Sequence, residues 1–347
     1  MKLPKILLII LIVGLASIPL RAQNNAGEKE NINILEEISL GGLKQWILIR
    51  GENADSPILL YLHGGPGFPQ IPFAHISPPL LGKHFLVVNW DQRGAGKSFN
   101  ANIPPETMNV EQFLSDTHEL IQQLKARFSK KKIFLAGFSW GSILGLYTAY
   151  RYPDDLYAYI GVGQVVNMKK GEALSYNYTM EKAKEANDLD AIKQLEKIGL
   201  PETWEGSAGY QKLTTQRQFL AKYGGSFVKF GYADIFKTMA ASPYYTAAEK
   251  NNIMNGMIFT QNLLWAKIRH INFVKDVPEL KIPVYFFEGK HDYQVPTELV
   301  KNYIEILKAP HKEIIWFENS GHVPSLDEPD ASQDRMVNVV LKNCFKK

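Results

Sequence analysis

Five residues constrain the fold of this chain more than any others. Gly137-Phe138-Ser139-Trp140-Gly141 stands directly after a short apolar run, 133–136, and directly before a helical pattern, 142–150. A G-x-S-x-G segment in that context is a sharp strand-to-helix turn that lifts the serine hydroxyl above a sheet edge. Glycines two before and two after the serine relieve the crowding such a turn creates. The flanking sequence has the rhythm such a turn needs. Runs at 44–50, 58–63 and 85–90 read as strands, the last two nearly continuous in apolar residues, as strands buried on both faces are. Val110, Phe113, Leu114, Leu120, Ile121 and Leu124 recur at helical spacing, and 157–162 reads as a further strand.

The alternation then stops. Residues 167–277 are Lys/Glu/Tyr-rich and helical, with segments such as 178–197 and 213–223 and no convincing buried strand. Strand and helix alternate again through 284–288, 298–307 and 313–317, and a helix around 333–344 closes the chain. The expected fold is α/β: a mostly parallel, doubly wound sheet built from 23–166 and 278–347, with a helical cap, 167–277, inserted over its pocket.

Hydrophobic residues at 45% and charged residues at 21% exclude a disordered, collagen-like or polytopic membrane chain. The net charge of +4 is spread over a mixed Lys/Glu surface, which argues against nucleic acid as a partner. Lys2 and Lys5, an apolar run over 6–20 and Leu20-Arg21-Ala22 read as a secretory leader, 1–22, cleaved after Ala22. That run falls short of the roughly 20 residues a membrane span needs, so the expectation is an exported protein, periplasmic or secreted, with no stable span after cleavage. The only cysteine, Cys344, leaves no internal disulfide. With no Cys/His cluster and no H-E-x-x-H, neither a metal nor another cofactor is expected.

A serine hydroxyl is a poor nucleophile until a base takes its proton, and neutral histidine can do so. Of the eight histidines, His322 follows a strand and the turn Asn319-Ser320-Gly321, which places it at the same sheet edge as Ser139. His291 and His311 compete less well: the first adjoins an aspartate and the second precedes its strand. Asp292, in the turn Gly289-Lys290-His291-Asp292 after strand 284–288, is the carboxylate expected to hold the imidazole in one tautomer. A tetrahedral oxyanion needs backbone donors, and the amide of Trp140 supplies one. The loop His63-Gly64-Gly65-Pro66-Gly67 supplies the other, from Gly65 with Gly64 as the near alternative. Gly64 and Tyr293 are the positions expected to touch substrate. Gly94-Ala95-Gly96-Lys97-Ser98 ends like a phosphate loop but has Asp91 where its first glycine belongs.

Taken together, His63-Gly64-Gly65-Pro66-Gly67, Asp91-Gln92-Arg93-Gly94-Ala95-Gly96-Lys97-Ser98, Gly137-Phe138-Ser139-Trp140-Gly141-Ser142 and Ser320-Gly321-His322 resemble the proline iminopeptidases. These are serine aminopeptidases of the α/β-hydrolase superfamily that remove an N-terminal residue. The resemblance covers roughly residues 34–166 and 277–347 and implies Ser139 as nucleophile, Asp292 as acid and His322 as base. It implies a small-molecule or short-peptide substrate with a free N-terminus, and an ester hydrolase is the other reading. Those enzymes hold the substrate α-amine with glutamates, one in the cap and, in some relatives, one just after the catalytic aspartate. Here Tyr293 follows Asp292, and Trp204-Glu205 is only a faint echo of the cap motif.

Overall fold

The computed structural model of the protein describes residues 31–204 and 206–345; the leader expected at 1–22 lies outside them. Eight strands make one sheet: β1 (Ile32–Leu40), β2 (Leu43–Gly51), β3 (Ile58–Leu62), β4 (Leu86–Asp91), β5 (Ile133–Phe138), β6 (Leu156–Val162), β7 (Val284–Gly289) and β8 (Lys312–Phe317). Their order is β1-β2-β4-β3-β5-β6-β7-β8. The pairs β1/β2 and β2/β4 are antiparallel and all others parallel. This is the mostly parallel sheet the apolar runs imply, and its six parallel strands, β3 to β8, aim their C-terminal ends at one edge. Strand β1 has no counterpart in the sequence reading. Its pattern is half exposed and interrupted by Glu36 and Glu37, and it exists because Gly41 and Gly42, at φ +53° and +76°, fold it back onto β2.

Helices cover both faces. On one, α1 (Val110–Arg127) and α2 (Trp140–Arg151) pack on Ile47, Leu60, Val88 and Leu135. The other face carries Leu59, Phe134, Ile160 and Phe287, and the C-terminal helical stretch beginning at Pro329 lays Met336, Val337 and Val340 against it.

The longer helices between β6 and β7 are α3 (Met168–Glu185), α4 (Leu189–Ile198), α5 (Gly206–Lys222), α6 (Tyr232–Ala241) and α7 (Ala247–Ile268). The helical pattern over 178–197 is two helices rather than one. Asn187 turns the backbone to φ +51°, and Asp188 restarts it by accepting the Ala191 amide at 3.1 Å. The insertion has its own small core around Tyr176, Leu195 and Trp204. Its longest helix, α7, joins the main core through Leu264 and Trp265, and Thr260 donates to the Gly94 carbonyl at 2.9 Å. Lys97 bridges to Glu249 at 2.5 Å, and the buried Asp91 accepts a hydrogen bond from Tyr245. Among the described residues no helix is long and apolar enough to cross a membrane, and no cluster of His, Cys, Asp or Glu is placed to hold a metal.

Candidate active site

Strand β5 ends at Phe138 and α2 starts at Trp140, so Ser139 makes the whole turn by itself, at φ +52° and ψ −115°. A serine in that region costs on the order of 1–3 kcal/mol, and it persists because the surroundings over-determine it. The Ser139 amide donates to the Val162 carbonyl at 2.9 Å, while the amide and hydroxyl of Ser142 donate to the Ser139 carbonyl at 2.9 and 2.6 Å. The flanking glycines are sterically required. A Cβ at Gly137 would lie 2.3 Å from the Gly141 carbonyl oxygen, and one at Gly141 would lie 2.1 Å from that of Leu62.

The glycine loop after β3 is set by His63. The ring Nε2 accepts from the Gln92 amide at 3.0 Å, so Nδ1 carries the proton and donates to the Gly64 carbonyl at 2.8 Å. Burial pushes the His63 imidazole down to about 4, which keeps it neutral in this role. With the Gly64 carbonyl turned to His63, the N–H of Gly65 in the same trans peptide faces the opposite way. Gly64 itself packs on the nucleophile turn: a Cβ there would sit 3.3 Å from Ser139 Cβ and 2.8 Å from the Phe138 ring. Gln92 joins the two loops, donating to the His63 carbonyl at 3.2 Å and accepting from Trp140 Nε1 at 2.9 Å. The Trp140 amide, first in α2, has no acceptor within its helix.

Asp292 and His322 meet at the C-terminal ends of β7 and β8. Asp292 Oδ2 accepts from His322 Nδ1 at 2.8 Å, and its Oδ1 accepts the amides of Gln294 and Val295 at 2.9 and 2.8 Å. Each residue is 2% exposed. That bond leaves Nε2 as the nitrogen free to take a proton, and Nε2 is buried with no hydrogen-bond partner among the described residues. Phe138 flanks the ring at 4.9 Å between centroids. Gly163, at φ +53°, lies flat against it: a Cβ there would stand 2.8 Å from both Cε1 and Nδ1. Since Val162, one residue earlier, receives the Ser139 amide, the serine and the imidazole share one short piece of backbone. Glu288, wholly buried, accepts the Gln164 amide at 2.9 Å through one oxygen. Burial, reinforced by the charge of Asp292, holds its carboxyl well above the usual carboxylate range.

A strap from the insertion, residues 225–229, closes this half of the site. The Tyr293 amide donates to Gly225 at 2.9 Å and the His322 amide to Ser226 at 2.7 Å. Asp327, 1% exposed, accepts the Gly321 amide at 2.9 Å and those of Val228 and Lys229 at 3.3 and 2.8 Å. One carboxylate thus ties the turn before His322 to the strap. The Tyr293 ring stacks on Tyr178 of α3, 3.7 Å between centroids and 7° from parallel. Trp204 is sealed in the insertion's own core, its indole donating to the carbonyls of Ile198 and Gly199, and Glu205 lies outside the described residues. His311 is exposed beside Glu313, remote in role from this cluster.

Sequence reasoning named the residues at the centre and missed their supports. Gly163 was readable as a glycine just past a strand. Asp327 carried no signal, because what it bonds comes from a segment almost a hundred residues away.

Comparison with known proteins agrees with this architecture. A family model of the alpha/beta hydrolase fold matches residues 57–329. The probable aminopeptidase YbaC of Bacillus subtilis (strain 168) is 36% identical over 307 residues, spanning 87% of this chain and 94% of that protein. The crystal structure of a proline iminopeptidase from Mycobacterium smegmatis superposes with a TM-score of 0.63 at 18% identity, covering 90% of this chain and 99% of that one. An esterase from Exiguobacterium antarcticum superposes with a TM-score of 0.61 at 19% identity, over 89% of this chain and 100% of that one.

Proposed function

The chain belongs to the α/β-hydrolase family, and on that premise we propose that it is an exported serine hydrolase that releases the N-terminal residue of short peptides. The observation that carries the reaction class is the strained, glycine-flanked turn at Ser139 beside an imidazole whose Nδ1 is already committed to Asp292. In this reading His322 Nε2 takes the Ser139 proton as the hydroxyl oxygen attacks the scissile carbonyl. The amides of Gly65 and Trp140 receive the oxyanion, and Asp292 stays ionised while it holds the imidazolium. The imidazolium then protonates the leaving amine. The same nitrogen next activates a water that hydrolyses the acyl-enzyme. The peptidase assignment draws on the relative named probable aminopeptidase, which spans nearly all of the described fold.

Tyr293 favours a second reading. It stands where some relatives place an amine-binding glutamate, and its ring is spent on Tyr178. An ester hydrolase needs no carboxylate for an ammonium group. The deciding experiment compares a prolyl arylamide, its N-acetyl analogue and a short-chain aryl ester, with Ser139→Ala as blank. Cleavage of the free amide that acetylation abolishes supports the peptidase. Turnover of the ester alone replaces it with the esterase. Ser139→Ala should lower kcat by about a million-fold against either substrate, and retention of activity would overturn the assignment of the nucleophile.

A further inference from the structure

Behind the loop that follows Gly65, on the face of the sheet away from α1 and α2, lies a cavity of about 430 Å³. None of Ser139, Asp292, His322, Gly64, Gly65 or Trp140 lines it. Its size is that of a small-ligand site. The floor is polar where a sheet face under helices is ordinarily apolar. Tyr61 on β3 and Asn89 on β4 are register partners, and Arg50 stands on the neighbouring β2. Asn89 is only 7% exposed, and neither its amide nor the Tyr61 hydroxyl hydrogen-bonds another described residue. Polar side chains that line a cavity can bond an occupant in place of solvent.

Arg50 is the cationic side chain of the lining. Arg50 spends one N–H on the Ala74 carbonyl, which leaves the rest of its guanidinium fork. Burial pushes the Tyr61 phenol up to about 12, so it remains a donor. Glu52, the other charged residue on the rim, is engaged in an interaction of its own. The rest of the lining mixes polar groups such as Ser325 and Gln333 with the apolar side chains of Phe73, Leu81, Leu326 and, from the insertion, Phe230. A planar guanidinium beside an amide and a phenol matches a carboxylate, and apolar walls match a short hydrocarbon body.

We propose that this cavity is a second ligand site, separate from the Ser139 centre, for a small organic carboxylate whose head group is held by Arg50, Asn89 and Tyr61 and whose apolar body packs against Phe73, Leu326 and Phe230. The walls give the site a reach into the reaction. Phe73 follows the glycine loop, Leu326 adjoins Asp327, and Phe230 follows the strap at 225–229, so an occupant lies next in the chain to supports of the candidate active site without touching its centre.

The test uses the chain from Gln23 onward and 4-bromobenzoate as probe. Titration calorimetry should show one molecule bound, with the same affinity after Ser139 has been capped by a fluorophosphonate. Arg50→Gln and Asn89→Leu should each weaken binding about tenfold or more, the loss expected for one charge-assisted or buried hydrogen bond. 4-Bromobenzyl alcohol should bind at least tenfold less tightly than the carboxylate. Crystals of the unaltered protein soaked in the probe should place the bromine anomalous peak between Phe73 and Leu326, which needs no variant to fold. Absence of binding, loss of binding on capping Ser139, equal affinity for the alcohol, or a bromine peak elsewhere would each overturn the proposal.

Discussion

The two halves of the candidate site are held in different ways. The Ser139 half, with the Gly64-Gly65 loop, is fastened by the sheet core: His63, Gln92, Ser142 and the end of β6 hold it, and no residue of the insertion takes part in those bonds. The Asp292–His322 half is fastened by chain from the insertion, through Gly225, Ser226 and the three amides that Asp327 gathers. Strain at Ser139 can be stored in the core because the groups that hold it stand at the buried ends of neighbouring strands. His322 sits on a loop, and a loop needs an outside brace to hold an imidazole within the tolerance that proton transfer demands.

The sharpest way to break this contrast is Gly163→Ala. Its methyl group would strike the imidazole while leaving the Ser139 turn in place. Activity should fall by about 100-fold or more, the loss that a displacement of about 1 Å produces, with an unchanged fold by circular dichroism. Undiminished turnover would mean that His322 is not the base.

Asp327→Ala should come next. It leaves three buried or half-buried amides without their acceptor, at about 3 kcal/mol of stability, and frees the strap from the His322 turn. We expect kcat to drop about tenfold, more than KM changes, because the brace acts on the base and not on the substrate. The conservative Asp327→Asn should recover part of kcat. Equal effects on kcat and thermal stability of a Gln92→Leu control would show that both halves depend alike on general folding.

The core half should reveal itself through pH. His63 is neutral in the native state, with its imidazole pushed down to about 4 from an unfolded value near 6.5. Its folded value is the lower one, so below pH 6.5 the unfolded chain binds the extra proton. Stability therefore falls as pH drops from 6.5 to 4, by about 3 kcal/mol in all. Urea unfolding of His63→Asn across that range should lack this increment, and an unchanged slope would exclude His63 as its source.

The smallest expected effect is that of Glu288→Gln. Burial and the charge of Asp292 push the native carboxyl toward its neutral form, so a neutral isostere should change kcat/KM less than about twofold and leave its pH profile in place. A marked shift in the profile would mean that Glu288 is ionised beside Asp292.

Much of this molecule was legible beforehand. The strands β3 to β7 announce themselves as largely apolar runs because they are buried on both faces, and Ser139 stands out because only glycine fits where Gly137 and Gly141 lie. Strand β1 was not legible: its partner and its turn, rather than its own pattern, make it a strand. Nor was the strap, since Gly225-Ser226 offers ordinary backbone carbonyls with no chemical signature. The same holds for Arg50, Asn89 and Tyr61, which look like unrelated polar residues until register pairs Tyr61 with Asn89 and sets Arg50 two positions along the neighbouring strand.

By itself the sequence determined the order of elements, the sharp turn at Ser139, and the candidates Asp292 and His322 at the ends of later strands. These follow from local sterics and from the period of apolar residues, which act over a few positions. The tertiary structure alone decided which carboxylate braces which loop, that Gly163 lies under the imidazole, and that a polar-floored cavity opens behind the glycine loop. Those are contacts between segments far apart in the chain, and hydrogen bonds and packing at that distance leave no periodic trace in either partner.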